Sequence, residues 1–430
     1  MMRRLFVKSW RLIFSQTAKD TYWVFAANIF TSFLAFIYTI FLARAFTPAD
    51  FGIFSAVLAF TLLVADVADL GFATALSRFL PPFYAQSQEN RANAFIKTSF
   101  LFQLKVAVLL LILTIIASPF LSQLLLNRAN FSSYFFLSAV GIFGIIVFTF
   151  SVNVLSAQKK FKPVAVLNSL TTIAKAVPII ILFAAGKLTV FTTILVFMLS
   201  TYAAYIFSLR FLSFKFITAG QEPGTLKKLF SYSLYVAAAR LFSAIGSRLD
   251  ALMLIPLASS YEAGIYSAAY KIVFIYILFS SSFSMVIAPR LSSFAKIEEA
   301  ITYLAKVIFA VIGILGTMIV MYFLAPWFVV FVLGKTYVES VLVFQALLLP
   351  MAFFAMTIPA VNFLLYTLKK PQVSTFNTFI QLFIILIANT VFIPKYGRFG
   401  PIITLSIVYG FTFVSATFFS IYFFKTKKHE

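Results

Sequence analysis

The residues of this chain that could do chemistry are a few charged groups inside long apolar stretches. In the segment ARLFSAIGSRLDALMLIP, Arg240, Arg248 and Asp250 stand among apolar and small residues, and Lys105 and Lys175 stand in two other apolar stretches. A charge at the centre of a bilayer costs roughly 3 kcal/mol or more, so such residues pair with one another or face a watery space. The chemistry they offer is electrostatic binding of an ion, and arginine can hold a phosphate through two parallel hydrogen bonds.

The sequence offers little for catalysis. It has no cysteine, which excludes disulfides, thiolate nucleophiles and thiolate metal sites. Its single histidine, His429, is in the charged tail, which argues against histidine–metal clusters and Ser-His-Asp triads. Neither a Walker A sequence nor a dinucleotide-binding glycine pattern occurs. We therefore expect no catalytic residues, no metal site and no bound cofactor, and the protein is predicted not to be an enzyme.

Apolar runs of about 20 residues recur from one end of the chain to the other. Hydrophobic residues make up 62% of the sequence and charged residues only 11%, and the mean hydropathy is +1.02. Each run can cross a hydrocarbon core of roughly 30 Å as a helix, with its backbone hydrogen bonds satisfied internally. The sequence predicts an all-α, polytopic protein of the plasma (inner) membrane. Its twelve transmembrane helices lie near residues 22–43, 51–72, 94–117, 132–155, 164–185, 189–209, 229–257, 264–288, 301–325, 338–366, 373–393 and 400–424.

Basic residues are distributed unequally between alternate loops. The net charge is +22, and if the N-terminus is cytoplasmic, 22 of the 34 Lys and Arg residues fall on the inner side and six on the outer side. The positive-inside rule then places both termini in the cytoplasm. Anionic membrane lipids attract this excess charge, so nucleic acid is not needed to explain it. Residues 1–20 are predicted to form an interfacial amphipathic N-terminus and residues 425–430 a cytoplasmic tail.

The two halves of the chain repeat one another. ADFGIFSAVLAF matches YEAGIYSAAYKI at an offset of 212 residues, which pairs Gly52 with Gly264, and Asn153 pairs with Asn362 at an offset of 209. Six helices per repeat is an even number, so both halves enter the membrane in the same orientation. The pattern predicts two pseudo-symmetric six-helix lobes around a central cavity. We assign the N-lobe (helices 1–6) to residues 21–212, the cytoplasmic linker to 213–228 and the C-lobe (helices 7–12) to 229–424.

Five stretches carry a resemblance to a known family: LARAFTPADFGIF, DLGFATALSRF, RLDALML, EAGIYSAAYK and PKYGRFGPIIT. In their order along nearly the whole chain they resemble the polysaccharide and oligosaccharide (Wzx-like) flippases of the multidrug/oligosaccharidyl-lipid/polysaccharide (MOP) exporter superfamily. The resemblance implies a twelve-helix, two-lobe transporter for an undecaprenyl- or other polyprenyl-pyrophosphate-linked oligosaccharide, working by alternating access in surface polysaccharide or O-antigen biosynthesis. It also implies a cationic cavity suited to a pyrophosphate and, in many members, coupling to an ion gradient.

The charges within the predicted spans do not balance. The candidate substrate-binding residues are five cations and one amide that the repeat aligns with Arg240, namely Arg240, Arg248, Lys105, Lys175, Lys271 and Asn28. The acids within the spans, Asp66, Asp69 and Asp250, are candidates for pairing with a cation or for carrying a coupling proton or sodium ion. An anion present only during transport would neutralise the remaining positive charge. The alternative is a set of ion pairs that only fix helix packing. We expect Asp250 to pair with a cation on a neighbouring helix or to titrate.

Other functions agree with parts of the sequence. A MATE-like multidrug/cation antiporter of the same superfamily would need an acidic cavity, and the predicted one is basic. A lipid II-type flippase usually carries two additional helices, which are not found in this sequence. A membrane glycosyl polymerase tends to have a large outer loop, whereas the predicted outer loops are short. The sequence thus favours a flippase for lipid-linked oligosaccharide and leaves a polysaccharide polymerase open as its partner.

Overall fold

The computed structural model describes residues 16–220, 222–294 and 297–428, and all regular structure in these ranges is helical. The helices are α1 (Gln16–Ala45), α2 (Pro48–Ala68), α3 (Phe72–Ala85), α4 (Glu89–Leu126), α5 (Ser132–Ala157), α6 (Phe161–Ala184), α7 (Val190–Ser208), the single turn α8 (Lys215–Thr218), α9 (Thr225–Gly246), α10 (Leu249–Leu257), α11 (Ser260–Ser293), α12 (Ile297–Leu333), α13 (Ser340–Asn362), α14 (Pro371–Tyr396) and α15 (Gly400–Lys428). A π-helical turn, Phe363–Thr367, continues α13. Most of the predicted interfacial segment (residues 1–15) and His429 lie outside the described residues.

The all-α fold and the predicted membrane spans are confirmed. Ten helical stretches of the described residues are long and apolar enough to cross a membrane, and one of them, 371–426, contains both α14 and α15. Helices α9 and α10 together cover the remaining predicted span, near 229–257. The cytoplasmic position of the two termini stays a prediction.

Local chemistry sets the helix starts. Ser259 precedes α11, and its hydroxyl accepts a hydrogen bond of 3.2 Å from the backbone N–H of Glu262. Thr189 and Thr192 form a capping box at the start of α7. Pro371 is the first residue of α14, where its missing N–H leaves no hydrogen bond unmade. Such caps satisfy N–H groups that have no partner within the helix, and so they fix where a span begins.

The succession of helices repeats between the two halves. Helix α1 corresponds to α9 with α10, α2 with α3 corresponds to α11, and α4, α5, α6 and α7 correspond to α12, α13, α14 and α15. A single 3₁₀ turn precedes the fourth span in each half, Ala129–Phe131 before α5 and Lys335–Tyr337 near the start of α13. The internal repeat predicted from the sequence is therefore present in the structure.

Two glycines that the repeat pairs with each other meet at a helix crossing. A Cβ atom on Gly52 of α2 would lie 2.1 Å from the carbonyl oxygen of Ser260, and a Cβ atom on Gly264 of α11 would lie 1.6 Å from that of Pro48. Only residues without a side chain let two helix backbones approach this closely. Close helix packing thus explains why glycine stands at this position in both halves.

Short breaks separate two pairs of helices. Helices α2 and α3 are separated by residues 69–71, where Gly71 has a φ of 77°, and α9 and α10 are separated by residues 247–248. Hydropathy predicts α9 with α10 as one run, near 229–257, and it ends the span of α2 at residue 72, after the first break. An acidic residue stands at each break, Asp69 at the first and Asp250 just after the second. Each break thus places a carboxyl group beside non-helical backbone.

Residues 73–85 are helical, although the sequence placed them in a loop after the second span. Their apolar residues recur at helical spacing, and Phe72, Ala75, Leu76 and Leu80 are buried on one face of α3. The run was missed because its other face is polar and contains two prolines, which lowers the mean hydropathy of the segment.

Contacts divide the chain into two compact units. The first comprises residues 1–45, 60–123 and 128–241, and the second comprises 46–59, 124–127 and 242–430. In the first unit a buried core surrounds Phe72, Leu80, Phe95 and Leu155. In the second unit Ile265, Val343, Phe344 and Leu347 are almost completely buried. The division into an N-lobe at 21–212 and a C-lobe at 229–424 stays a prediction.

Candidate functional site

Arg240 and Asp69 form an ion pair within the first unit. Arg240 lies 15 residues into α9, about 22 Å from the start of that helix at a rise of 1.5 Å per residue, and so near the middle of the α9–α10 span. Its Nη1 atom is 3.7 Å from Oδ2 of Asp69. Oδ1 of Asp69 accepts hydrogen bonds from the backbone N–H of Ala73 at 3.3 Å and from the side-chain amide of Asn153 at 3.4 Å. The acid at the α2–α3 break is therefore in contact with both α5 and α9.

The guanidinium of Arg240 lies on a polar, open side of α9. The Arg240 side chain is 59% exposed, whereas that of Asp69 is 15% exposed. Ser243 and Ser247 follow Arg240 on the same face of the helix, and both are exposed. A charged group within a membrane protein faces a polar space in preference to acyl chains, and the hydroxyl groups along this stripe agree with that. The guanidinium of Arg240 is therefore accessible on this side of α9.

Asp250 is buried in the second unit beside the α9–α10 break, with 8% of its surface exposed. Its Oδ1 accepts a hydrogen bond from the amide of Asn389 on α14, and its Oδ2 accepts one from the hydroxyl of Tyr266 on α11, both at 2.9 Å. Among the described residues, no lysine or arginine forms an ion pair with it, so the cationic partner expected from the sequence is not found there. Oδ1 of Asn389 is itself buried with no hydrogen-bond partner in the described part of the chain. A buried carboxyl group with only neutral donors favours protonation or a bound cation.

Lys175 continues a polar stripe on α6. Asn168 and Thr172 precede it on the same helix face. Its Nζ atom is 5.3 Å from the ring centre of Phe197 on α7, within the range of a cation–π interaction. Within the described ranges Lys175 has no carboxylate partner. Its positive charge in the first unit is therefore not neutralised by any of those side chains.

Lys105 has a different environment. It lies 16 residues into α4 with an exposed side chain. Leu109, Ile112 and Ile116 are exposed on the same helical face, as residues in contact with acyl chains are. No contact in the described part of the chain joins Lys105 to another charged side chain. The structure thus does not bring Lys105 together with Arg240.

Asn28 and Asp66 are both exposed in the first unit, on α1 and α2. The carbonyl oxygen of Asn28 accepts a hydrogen bond of 3.0 Å from the hydroxyl of Thr31. Asp66 is in the last turn of α2, and Asp69 follows three residues later, just after the helix ends at Ala68. The negative charge at this point therefore extends one helical turn before the α2–α3 break.

Lys271 and Arg248 belong to the second unit. The Nζ atom of Lys271 lies 5.7 Å from the ring centres of both Phe51 and Phe54, next to the crossing of α2 and α11. Arg248 precedes α10, and its Nη1 atom donates a hydrogen bond of 3.3 Å to the carbonyl oxygen of Ala244. Both cations thus have contacts within their own unit.

The partners of the two buried acids were not identified from the sequence. Asn153 and Asn389 are amides within apolar runs, which is the usual signal of an interhelical hydrogen bond. The sequence separation from their acids is 84 and 139 residues, so no local pattern indicates which acid each amide contacts. Tyr266 stands in the repeated motif EAGIYSAAYK, but nothing in that motif distinguishes a buried phenol from one at the membrane interface.

The sequence matches the family described as polysaccharide biosynthesis protein over residues 17–295, well over half of its length. The chain belongs to this family. No curated protein sequence matches it significantly. Family membership agrees with the resemblance drawn from the five sequence stretches.

Solved structures of MOP superfamily members are similar to this polysaccharide biosynthesis protein. An inward-facing multidrug resistance MATE family transporter has a TM-score of 0.76 at 14% identity, covering 92% of this chain and 96% of the other. The lipid II flippase MurJ in an inward closed conformation has a TM-score of 0.73 at 16% identity, covering 92% and 86%. A MOP superfamily transporter from Pyrococcus furiosus, for which a reverse polarity of the binding pocket suggests a different function, has a TM-score of 0.62 at 14% identity, covering 96% and 98%.

At these identities the likeness shows the fold alone, which is the twelve-helix, two-lobe fold of the superfamily. The structural relatives are described as transporters and a flippase. The protein is a multi-pass membrane protein of the polysaccharide biosynthesis family.

Proposed function

We propose that this polysaccharide biosynthesis protein flips a polyprenyl-pyrophosphate-linked oligosaccharide across the plasma (inner) membrane by alternating access. The observation that carries the proposal is Arg240, a guanidinium in the middle of a span, 59% exposed on a polar helix face and only loosely paired. The family supports a substrate from polysaccharide biosynthesis. The similarity to a lipid II flippase supports a lipid-linked one.

The balance of charge favours an anionic substrate. Six basic side chains lie within the predicted spans, and five remain when Lys306, which can reach the membrane surface, is set aside, against the three acids Asp66, Asp69 and Asp250. Lys175 has no carboxylate partner among the described residues, and Asp250 is hydrogen-bonded by neutral groups. Positive charge therefore exceeds negative charge among these side chains. A pyrophosphate would compensate it, because arginine binds phosphate through a planar fork and lysine as a point charge.

The test is to replace Arg240 by alanine and by lysine and to follow surface glycan in cells that depend on this transporter. We expect Arg240→Ala to lower glycan export at least about tenfold at an unchanged protein level, since a charged hydrogen bond to phosphate contributes about 1.5–3 kcal/mol. Arg240→Lys should restore part of the export through its charge. Lys306→Ala is the control, because Lys306 is exposed near one end of α12 and is long enough to reach the membrane surface. Normal export by Arg240→Ala would disprove the role of the arginine.

A MATE-like multidrug/cation antiporter is the second candidate, favoured by the TM-score of 0.76 to a transporter of that family. The charge argues against it, since an organic cation would be repelled by Arg240 and Lys175. For the Pyrococcus furiosus relative, a reverse polarity of the binding pocket suggests a different function. Resistance to cationic drugs measured with and without the protein separates the two candidates, and only the antiporter would raise it.

For energy coupling we propose Asp250. The carboxyl group faces the neutral side chains of Asn389 and Tyr266, and the phenols of Tyr270 and Tyr409 lie close enough to interact with it electrostatically. A proton or a sodium ion bound there would compensate a charge that otherwise has no cation in the described part of the chain. Asp250→Asn mimics the protonated group and should make glycan export insensitive to a pH or sodium gradient. A gradient response equal to wild type would exclude Asp250 as the coupling residue.

A further inference from the structure

The ion pair between Arg240 and Asp69 lacks hydrogen bonds. The distance from Nη1 to Oδ2 is 3.7 Å, whereas a charge-assisted hydrogen bond measures about 2.7–2.9 Å. Oδ2 of Asp69 is buried and has no hydrogen-bond partner in the described part of the chain. No N–H group of Arg240 donates to a described residue. The two groups attract each other, yet the five donors of the guanidinium remain available to another acceptor.

Asp69 is held in place by its other oxygen. Oδ1 accepts from the backbone N–H of Ala73, at the start of α3, and from the amide of Asn153 on α5. The next two residues, Leu70 and Gly71, have φ values of 45° and 77°, so the backbone here is fixed in a turn that few sequences adopt. The carboxylate therefore cannot follow the guanidinium when a ligand draws it away. Arg240 has the freedom to move, because most of its side chain is exposed.

We propose that Asp69 is a release residue, a resident counter-ion that competes with the pyrophosphate of the substrate for Arg240. The inference rests on the proposed function. When the pyrophosphate binds the guanidinium of Arg240, the buried oxygen of Asp69 loses its cationic partner. The uncompensated buried charge raises the free energy of the substrate-bound state. Return of Arg240 to Asp69 then favours departure of the head group. A transporter needs this balance, because a site that binds too tightly does not let its substrate leave.

The competition predicts opposite changes in binding and transport. Asp69→Asn keeps the size of the side chain and an oxygen for Ala73, but it removes the competing charge. We expect the full-length variant to bind inorganic pyrophosphate roughly two- to fivefold more tightly by isothermal titration, the gain from removing one partly exposed counter-ion. We expect the same variant to export glycan several-fold more slowly in cells. A role in folding alone would lower both quantities together.

A second variant tests whether the hydrogen bonds to Oδ1 hold the Asp69 carboxylate in place. Asn153→Ala retains both charges and removes one of the two hydrogen bonds that hold Oδ1 of Asp69, so that the carboxylate can move closer to Arg240. Pyrophosphate binding should then weaken by a few-fold, in the direction opposite to Asp69→Asn. Glu89→Gln is the charge-matched control, since Glu89 is exposed in the first turn of α4, and it should bind and export like wild type.

The outcomes separate this inference from the proposed function. If Arg240→Ala binds pyrophosphate as well as wild type does, the pyrophosphate site itself is disproved. If Arg240→Ala loses binding and Asp69→Asn binds no more tightly than wild type, only the release role of Asp69 is overturned. Tighter binding with faster export by Asp69→Asn would also overturn it, because the counter-ion would then oppose transport.

Discussion

Replacing Gly264 by alanine tests the close crossing of α2 and α11 in the second unit. The added Cβ atom would lie 1.6 Å from the carbonyl oxygen of Pro48 and 2.5 Å from its carbonyl carbon. Ordinary van der Waals contact begins near 3.4 Å, so α2 and α11 would have to separate by well over an ångström. Inserting a methyl group into a packed interface costs about 1–3 kcal/mol, and the upper end applies because the obstacle is backbone and not a flexible side chain.

We expect Gly264→Ala to lower the midpoint of thermal denaturation of the purified protein by roughly 3–6 °C, measured by fluorescence-detected size-exclusion after heating. Gly316→Ala is the matched control, because Gly316 is also helical and nothing lies within 4 Å of the position of its Cβ. That variant should melt at or slightly above the wild-type temperature, since alanine favours the helix. Equal midpoints for the two variants would refute the close crossing of α2 and α11.

Three further outcomes follow from contacts of single residues. The hydrogen bonds from Arg91, at 3.1 and 3.3 Å, lower the pKa of Glu222 in the folded protein. The contact therefore stabilises the folded protein when the pH is above the ordinary pKa of a glutamate. This stabilisation is lost as the pH falls from there through the lowered pKa, because Glu222 becomes protonated. Arg91→Gln should therefore remove part of the acid sensitivity of the melting midpoint, and an unchanged pH profile would argue against the contact. Lys105→Ala should lower glycan export less than Arg240→Ala does, because Lys105 lies on an apolar stripe, and an equal loss would place Lys105 at the substrate. Asn389→Ala leaves a buried carboxyl oxygen without its donor and should destabilise the protein by about 1–3 kcal/mol, whereas a midpoint unchanged in thermal denaturation would contradict the observed hydrogen bond.

The helices and their repetition could be predicted because they depend on local patterns. A run of about 20 apolar residues has to be helical in a membrane, and the offset of 212 residues pairs Gly52 with Gly264 in the sequence alone. The segment 73–85 was placed in a loop because its amphipathic pattern, and not its mean hydropathy, carries the signal for α3. A count of helical spacing over Phe72, Ala75 and Leu76 would have found it.

The breaks and the charge pairs could not be predicted because they depend on tertiary contacts. The dipeptide Leu70–Gly71 is a turn signal, but hydropathy averages it into the end of the span predicted at 51–72. Asp69 and Arg240 are far apart in the sequence, and their pairing depends on how α9 packs within the first unit. The sequence did predict that a cation would stand near mid-span at residue 240. Only the structure shows that Arg240 lies on a polar helix face and that its ion pair is incomplete.

The most direct measurement is the rate at which the purified transporter, in proteoliposomes, moves a polyprenyl-pyrophosphate-linked oligosaccharide between leaflets, compared with Arg240→Gln in the same membranes. Glutamine retains an amide for hydrogen bonding but removes the charge. We predict flipping by the wild-type protein and at least a roughly tenfold lower rate for the variant, the loss of one charged phosphate contact. Equal rates for the two proteins, or no flipping by a wild-type protein that is folded and inserted, would contradict the account.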